Sequence, residues 1–272
     1  MILTAFEHRR GVHCGSTAMA DVLRFYGCDL SEPLAFGLGA GCSFTLHEGS
    51  LRLVPPQPRR LFAGRSLTFE ADLCAAVGAK LLRLPRWNDV AARIHRGHPA
   101  LAWTDLFELK YLGAHGHWGG HLVALAGLKE QWVLVADNER ESIEHVPLEQ
   151  LIGAARPGVE PDGGGPYFAC VEGVRPPDPT RLAQAAVDAI AKQARDMVQG
   201  EKSGLRTLET FARELPGWAT LPDWQRCVRM GAQVIELRGN GGGLFRRLYA
   251  RFLEEAVSLG VSYASQLTPL AL

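Results

Sequence analysis

The chain has no Cys-x-x-Cys pair, and its six cysteines, at positions 14, 28, 42, 74, 170 and 227, are too sparse for a disulfide framework. They read as reduced thiols, most of them small buried hydrophobes. No uninterrupted apolar run approaches the roughly 18 residues that a bilayer-spanning helix requires. The first twenty residues also lack the succession of basic, apolar and small residues that marks a secretory signal, so the expected location is the cytoplasm. Charge of one sign is missing too: 29 Lys and Arg offset 29 Asp and Glu. Net charge therefore gives no reason to expect a nucleic acid or a membrane surface as partner. No internal repeat or low-complexity segment is present. What is there is the composition of an ordinary globular protein, with 272 residues of which 47% are hydrophobic and 21% charged, enough for one large domain or two packed ones.

Against that background one residue stands out. His13-Cys14-Gly15-Ser16-Thr17-Ala18 opens a stretch in which Ala18, Met19, Val22, Leu23 and Tyr26 recur at helical spacing until Gly27 stops the pattern. The spacing predicts a helix over 14–26 with Cys14 in its first turn, where backbone N–H groups favour a thiolate. Cys28, Cys74, Cys170 and Cys227 sit in plain apolar contexts; Cys42, which follows a glycine-rich stretch, is a minor second candidate. The stretch itself, Leu34 to Gly41, reads as backbone pressed against another chain segment or a ligand, which makes Gly37, Gly39 and Gly41 candidates for lining a substrate channel. A phosphate-cradling loop is disfavoured, because no lysine follows in register and no strand precedes it.

Residues 52–65 mix prolines and arginines and read as a loop or edge hairpin. Helices are expected over 69–77 and 87–95, and strands over 80–84 and 100–106. Two apolar runs, His121 to Leu128 and Trp132 to Asp137, form a hairpin. With Lys129-Glu130-Gln131 as its turn, residue 128 faces 132 and 123 faces 137. His121, Val123 and Asp137 then share a face, and Asp137 becomes a diagonal neighbour able to orient the His121 ring. A further strand is expected over 167–174, ending near the linker Arg175-Pro176-Pro177-Asp178-Pro179. Beyond it, 180–199, 204–215, 221–237 and 244–259 all read as helices. The expected organisation is an α+β part over 1–175 and an all-helical part over 176–272 that packs on it.

A thiol, an imidazole and a carboxylate suggest a Cys-His-Asp acyl-transfer site with Cys14 as nucleophile, His121 as base and Asp137 as orienting acid. Asn138 is the alternative orienting group. Gly119 and Gly120 leave room for substrate beside His121. A metal site built on His115, His117 and His121 is disfavoured, since those two glycines make the necessary helix improbable, and no metal is expected. For the oxyanion, the Cys14 amide is one donor, and His8 and His13 are candidates for the second.

The segment from Gly11 to Gly27, Phe36-Gly37-Leu38-Gly39, and Trp118-Gly119-Gly120-His121 resemble the N-terminal domain of the butirosin-biosynthesis acyltransferase family. The helical part, with Gly241-Gly242-Gly243-Leu244-Phe245-Arg246 and Tyr249-Ala250, resembles the uncharacterised domain that usually follows it. The resemblance implies a papain-like fold related to bacteriocin-processing cysteine peptidases, in which the cysteine helix packs on a sheet carrying the histidine. The family's namesake moves an acyl group from an acyl carrier protein to an amine of an aminoglycoside. Carried over to this sequence, that implies an acyl-enzyme on Cys14, no bound cofactor, the phosphopantetheine arm of a carrier protein as donor, and a small-molecule amine as acceptor in natural-product biosynthesis. Papain-like enzymes commonly place an oxyanion glutamine six residues before the cysteine, a position held here by His8. The alternatives are a cysteine peptidase or amidase using the same residues, and a non-catalytic binding protein on the same fold. The helical part would cover an acyl tunnel, dock the carrier protein or form a homodimer.

Overall fold

A computed structural model describes residues 1–48, 60–155, 168–201, 203–221, 224–237 and 239–271. The part of the proline-arginine stretch before Arg60, and Tyr167, lie outside the described residues. The chain divides into two compact units, one formed by Met1–Ala35 with Val77–Pro177 and the other by Phe36–Ala76 with Asp178–Leu272. The last boundary, between Pro177 and Asp178, falls at the expected linker. The division is not linear, however, because residues 36–76 group with the C-terminal helices and not with the rest of the N-terminal part.

In the first unit, helix α1 (Cys14–Phe25) begins one residue after its N-cap, His13, and ends where Gly27 takes a φ of +84°. Helix α2 (Glu32–Leu38), whose last three residues belong to the second unit, follows, started by the Ser31 hydroxyl, which accepts the Leu34 N–H at 3.1 Å. The main sheet is built from β3 (Lys80–Leu84), β4 (Ala100–Thr104), β5 (His121–Lys129), β6 (Trp132–Ala136), β7 (Glu144–Pro147) and β8 (Phe168–Glu172). These come after β1 (Cys42–Glu48), β2 (Arg60–Arg65) and α3 (Phe69–Ala76), which belong to the second unit. All pairs are antiparallel, in the order β3-β8-β4-β5-β6-β7. Helix α1 packs against β5. Helices α4 (Trp87–His95) and α5 (Leu148–Ala154) contribute Val90, Ile94 and Leu151 to a core with Val123, Leu125, Val133, Val135 and Val146, all at most 1% exposed. Each such side chain contributes about 1.5–3 kcal/mol by leaving water.

The β5–β6 hairpin is where expectation and structure part. Lys129 pairs with Trp132, so the turn has two residues, Glu130 and Gln131, and not three. Glu130 sits at φ +56°. From Lys129↔Trp132 through Gly127↔Leu134 the register is therefore one residue off the expected one. A bulge between Leu125 and Gly127 then restores it, giving Leu125↔Val135 and Ala124↔Ala136. The expected approach of Val123 and Asp137 is thus recovered by two local differences that cancel. The polar groups beside the bulge are taken by the N-terminal segment, with Leu3 N–H donating to the Ala126 carbonyl at 3.1 Å and Leu128 N–H to that of Met1 at 2.6 Å. Gly127 allows this close approach, since a Cβ there would lie 3.0 Å from the Met1 oxygen.

In the second unit β1 and β2 form an antiparallel pair, so residues 60–65, expected within a loop or edge hairpin over 52–65, are a strand paired with 42–48, and this unit is mostly, not wholly, helical. Its helices are α3, α6 (Pro179–Gln199), α7 (Leu205–Glu214), α8 (Trp224–Glu236), α9 (Arg246–Ser258) and α10 (Ala264–Ala271). Asp178 caps α6 by accepting the Arg181 N–H at 2.9 Å, with Pro179 as its first residue. The Gln193 side chain on α6 holds both backbone groups of Cys42, donating to its oxygen at 2.6 Å and accepting its N–H at 2.9 Å. The Gly204 N–H donates to the Phe44 oxygen at 2.9 Å, tying the start of α7 to β1. These bonds are why residues 36–76 belong with the helices. Among the described residues no helix is long and apolar enough to cross a membrane.

Candidate active site

Cys14 is the first residue of α1, and His13 caps that helix with its side chain: His13 Nδ1 accepts the Ser16 N–H at 3.2 Å. A carboxylate that the sequence reading did not single out holds the approach to this turn. Glu32 Oε1 accepts the N–H groups of Val12 at 3.0 Å and His13 at 2.8 Å, and the hydroxyls of Ser16 at 3.0 Å and Thr17 at 3.1 Å. Gly11 gives room for it, because a Cβ there would meet Thr17 Oγ1 at 2.0 Å.

His121 is the first residue of β5, directly opposite Thr104, whose hydroxyl donates to the His121 carbonyl at 2.9 Å. The preceding loop is held by buried Asp105, which accepts the N–H groups of Phe107 and Trp118, both at 3.0 Å, and lies 2.7 Å from His117 Nδ1. Gly120, at φ +80°, turns the chain into the strand, while Gly119 beside it is half-buried. The His121 ring is 6% exposed and its Nε2 lies 2.9 Å from Oδ2 of Asp137, which is 0% exposed. With Nε2 facing the carboxylate, Nδ1 is left for the Cys14 side chain, to which the ring is also hydrogen-bonded. Burial by itself pushes the His121 ring down, but the charge and hydrogen bond of Asp137, together with Cys14, outweigh it and lift the imidazole to about 10. Asp137 shows the mirror effect. Burial raises it, yet His121, the Glu139 N–H and the Tyr111 hydroxyl together hold its carboxyl below the usual range.

The structure therefore brings Cys14, His121 and Asp137 together. Asn138 points its amide to Glu139 at 3.4 Å, so Asp137 is the residue that meets the imidazole. Tyr111, absent from the sequence reading, donates its hydroxyl to Asp137 Oδ2 at 2.6 Å. It lies in a short 3-10 turn with no periodicity to mark it.

Six other candidates are placed differently. His8 has both ring nitrogens engaged, Nδ1 2.6 Å from Asp21 Oδ2 and Nε2 3.0 Å from the Arg140 oxygen, which leaves no ring N–H to direct at an oxyanion. His13 spends Nδ1 on the helix cap. Gly37, Gly39 and Gly41 face aromatic rings and no open channel: a Cβ would meet Phe252 at 1.9 Å, Phe69 at 2.5 Å and Phe36 at 2.5 Å respectively. Burial pushes the Cys42 thiol up to about 12, the reverse of activation.

Comparisons with known proteins match two successive stretches of the chain. Residues 13–138 match the family described as Butirosin biosynthesis protein H, N-terminal. Residues 161–266 match the Domain of unknown function DUF4872. No curated protein matches the chain. Among solved structures, one of a Bacillus anthracis protein described as a C39-like peptidase is 13% identical and covers 64% of this chain and 98% of its own, with a TM-score of 0.42. The chain thus carries a Butirosin biosynthesis protein H N-terminal domain followed by a DUF4872 domain.

Proposed function

We propose that the protein is a cysteine acyltransferase that moves an acyl group from the phosphopantetheine thioester of an acyl carrier protein to a small-molecule amine, in natural-product biosynthesis. The observation that carries this reading is the buried His121–Asp137 pair hydrogen-bonded to a cysteine at the start of a helix. Membership of a family named for butirosin biosynthesis supports the biosynthetic context.

An imidazolium held by Asp137 beside Cys14 favours the thiolate. The thiolate attacks the thioester carbonyl, and a C–S bond forms while negative charge moves to oxygen. The Cys14 amide, at the helix entrance, donates to that oxyanion. As the intermediate collapses, the carbon–sulfur bond to phosphopantetheine breaks and His121 protonates the departing sulfur. The acceptor amine then attacks the acyl-enzyme and gives its proton to neutral His121. Collapse forms the amide and returns Cys14 as thiolate beside imidazolium. Exchange between two thioesters is nearly isoenergetic, so amide formation drives the sequence forward.

Intact-mass measurement after mixing the protein with an acyl-loaded carrier protein tests the reading. The expected result is an acyl adduct on Cys14 that disappears when an amine acceptor is added, and that never forms in Cys14→Ala. Absence of an adduct across varied acyl groups, together with cleavage of peptide bonds, would assign the site to a peptidase instead.

A further inference from the structure

His8 stands six residues before Cys14, yet its side chain is 3% exposed and turned to two acceptors. Nδ1 lies 2.6 Å from Asp21 Oδ2 and Nε2 lies 3.0 Å from the Arg140 carbonyl oxygen, with the Asp137 carbonyl a further acceptor in reach. A carboxylate and a carbonyl can only accept, so both nitrogens donate and the ring is an imidazolium. The two ends of this contact belong to elements that carry the site. Asp21, 1% exposed, lies on α1 two helical turns beyond Cys14. Arg140 closes the turn after β6, its N–H donating to the Asp137 carbonyl at 2.9 Å.

The charges around His8 are balanced to keep it in place. On α1, Arg24 Nη1 donates to Asp21 Oδ1 at 2.6 Å and Arg24 Nε to Asp29 at 2.8 Å. From the segment of His8 itself, the Arg9 N–H reaches Asp21 at 3.3 Å, the Arg9 guanidinium pairs with Asp29 at 3.1 Å, and Arg10 pairs with Glu141 at 2.9 Å. From the turn, the Arg140 guanidinium lies over the Tyr111 ring at 5.6 Å and pairs with Glu144 at 3.6 Å. Asp21 is thus a buried carboxylate whose charge is met by His8 on one oxygen and Arg24 on the other.

We infer that His8 is a positioning residue: as an imidazolium it straps α1, and with it Cys14, to the Asp137–Arg140 turn, setting the separation of nucleophile and orienting carboxylate without touching the oxyanion. The inference rests on the proposed function only in taking Cys14 as the nucleophile.

Two reactions of the full-length protein separate a strap from an oxyanion donor. Alkylation of Cys14 by iodoacetamide forms a C–S bond as iodide leaves a saturated carbon, so no oxyanion arises. Acylation by a small acyl thioester passes through one. In His8→Ala and His8→Gln both rates are expected to fall together, by up to about a hundredfold, the order that a 1 Å displacement of a catalytic group costs. The alkylation pH profile should also move towards that of an ordinary thiol. Asp21→Asn, which keeps the imidazole, should act in the same direction and serves if His8→Ala does not fold; the double variant should be no worse than the worse single one. If acylation falls while alkylation and its pH profile stay as in the wild type, His8 acts on the oxyanion and the strap is overturned; unchanged rates in every variant overturn it too. A wild-type Cys14 that is not alkylated faster than Cys28 would instead sink the nucleophile reading itself.

Discussion

The Tyr111 hydroxyl donates to Asp137 at 2.6 Å, on the same oxygen that lies 2.9 Å from His121 Nε2. Asp137 Oδ1 accepts the Glu139 N–H at 3.0 Å, so the carboxylate is held from three sides in a fully buried position. Tyr111→Phe keeps the ring but removes one donor from a buried anion. A stability loss of about 1–3 kcal/mol is expected, read from the shift in urea midpoint. No loss would mean that the hydroxyl does not carry part of the carboxylate's charge.

The His121–Asp137 pair predicts opposite pH responses from its two members. Asp137 is held below its unfolded value, so its contribution is complete above about pH 4 and is lost as pH falls through the depressed native value. His121 is lifted from 6.5 to about 10, so its contribution is complete below the unfolded value and is lost as pH rises towards the native one. Imidazole NMR should show His121 still protonated through neutral pH. In Cys14→Ser, where no thiol titrates alongside, the stability advantage over the additional His121→Gln variant should shrink as pH rises above about 6.5. An ordinary titration of His121 near that value would contradict the pairing.

Glu32 gathers two backbone N–H groups and two hydroxyls ahead of and within the first turn of α1. Glu32→Gln replaces one acceptor oxygen by an NH₂ group and removes the charge. The expected cost is about 2 kcal/mol in urea unfolding, as for hydrogen bonds to a charged group. A variant as stable as the wild type would show that the backbone before Cys14 is held by other means.

Gly37→Ala places a methyl 1.9 Å from the ring of Phe252, which is 0% exposed. Overpacking of this kind costs about 1–3 kcal/mol, and thermal unfolding should register it. A position lining an open channel would behave otherwise: stability would hold and longer acyl donors would be rejected.

Local pattern made α1, α4, β3 and β4 legible: apolar residues recur at helical spacing in α1 and α4, β3 and β4 are short apolar-rich runs, and each meets a glycine, proline or charged residue near an end. Helix α2 was missed although Ser31-Glu32-Pro33 is a capping serine followed by a proline in the first turn; the glycine content of the following residues masked it. The hairpin shows a different limit. Turn length and bulge position both depend on how β5 meets its neighbours, and only the sum of the two decides which residue faces Asp137.

The sequence by itself determined that a thiol opens a helix, an imidazole opens a buried strand and a carboxylate ends the next one, because each of those placements follows from the pattern of the residues immediately around it. Tertiary structure decided everything that depends on partners far apart in the chain. It turned His8 from an oxyanion candidate towards Asp21 and Arg140, closed Gly37, Gly39 and Gly41 against aromatic rings, and brought Glu32 and Tyr111 to the site. Which buried acceptor a side chain meets is set by packing between remote segments, and no local period carries that information.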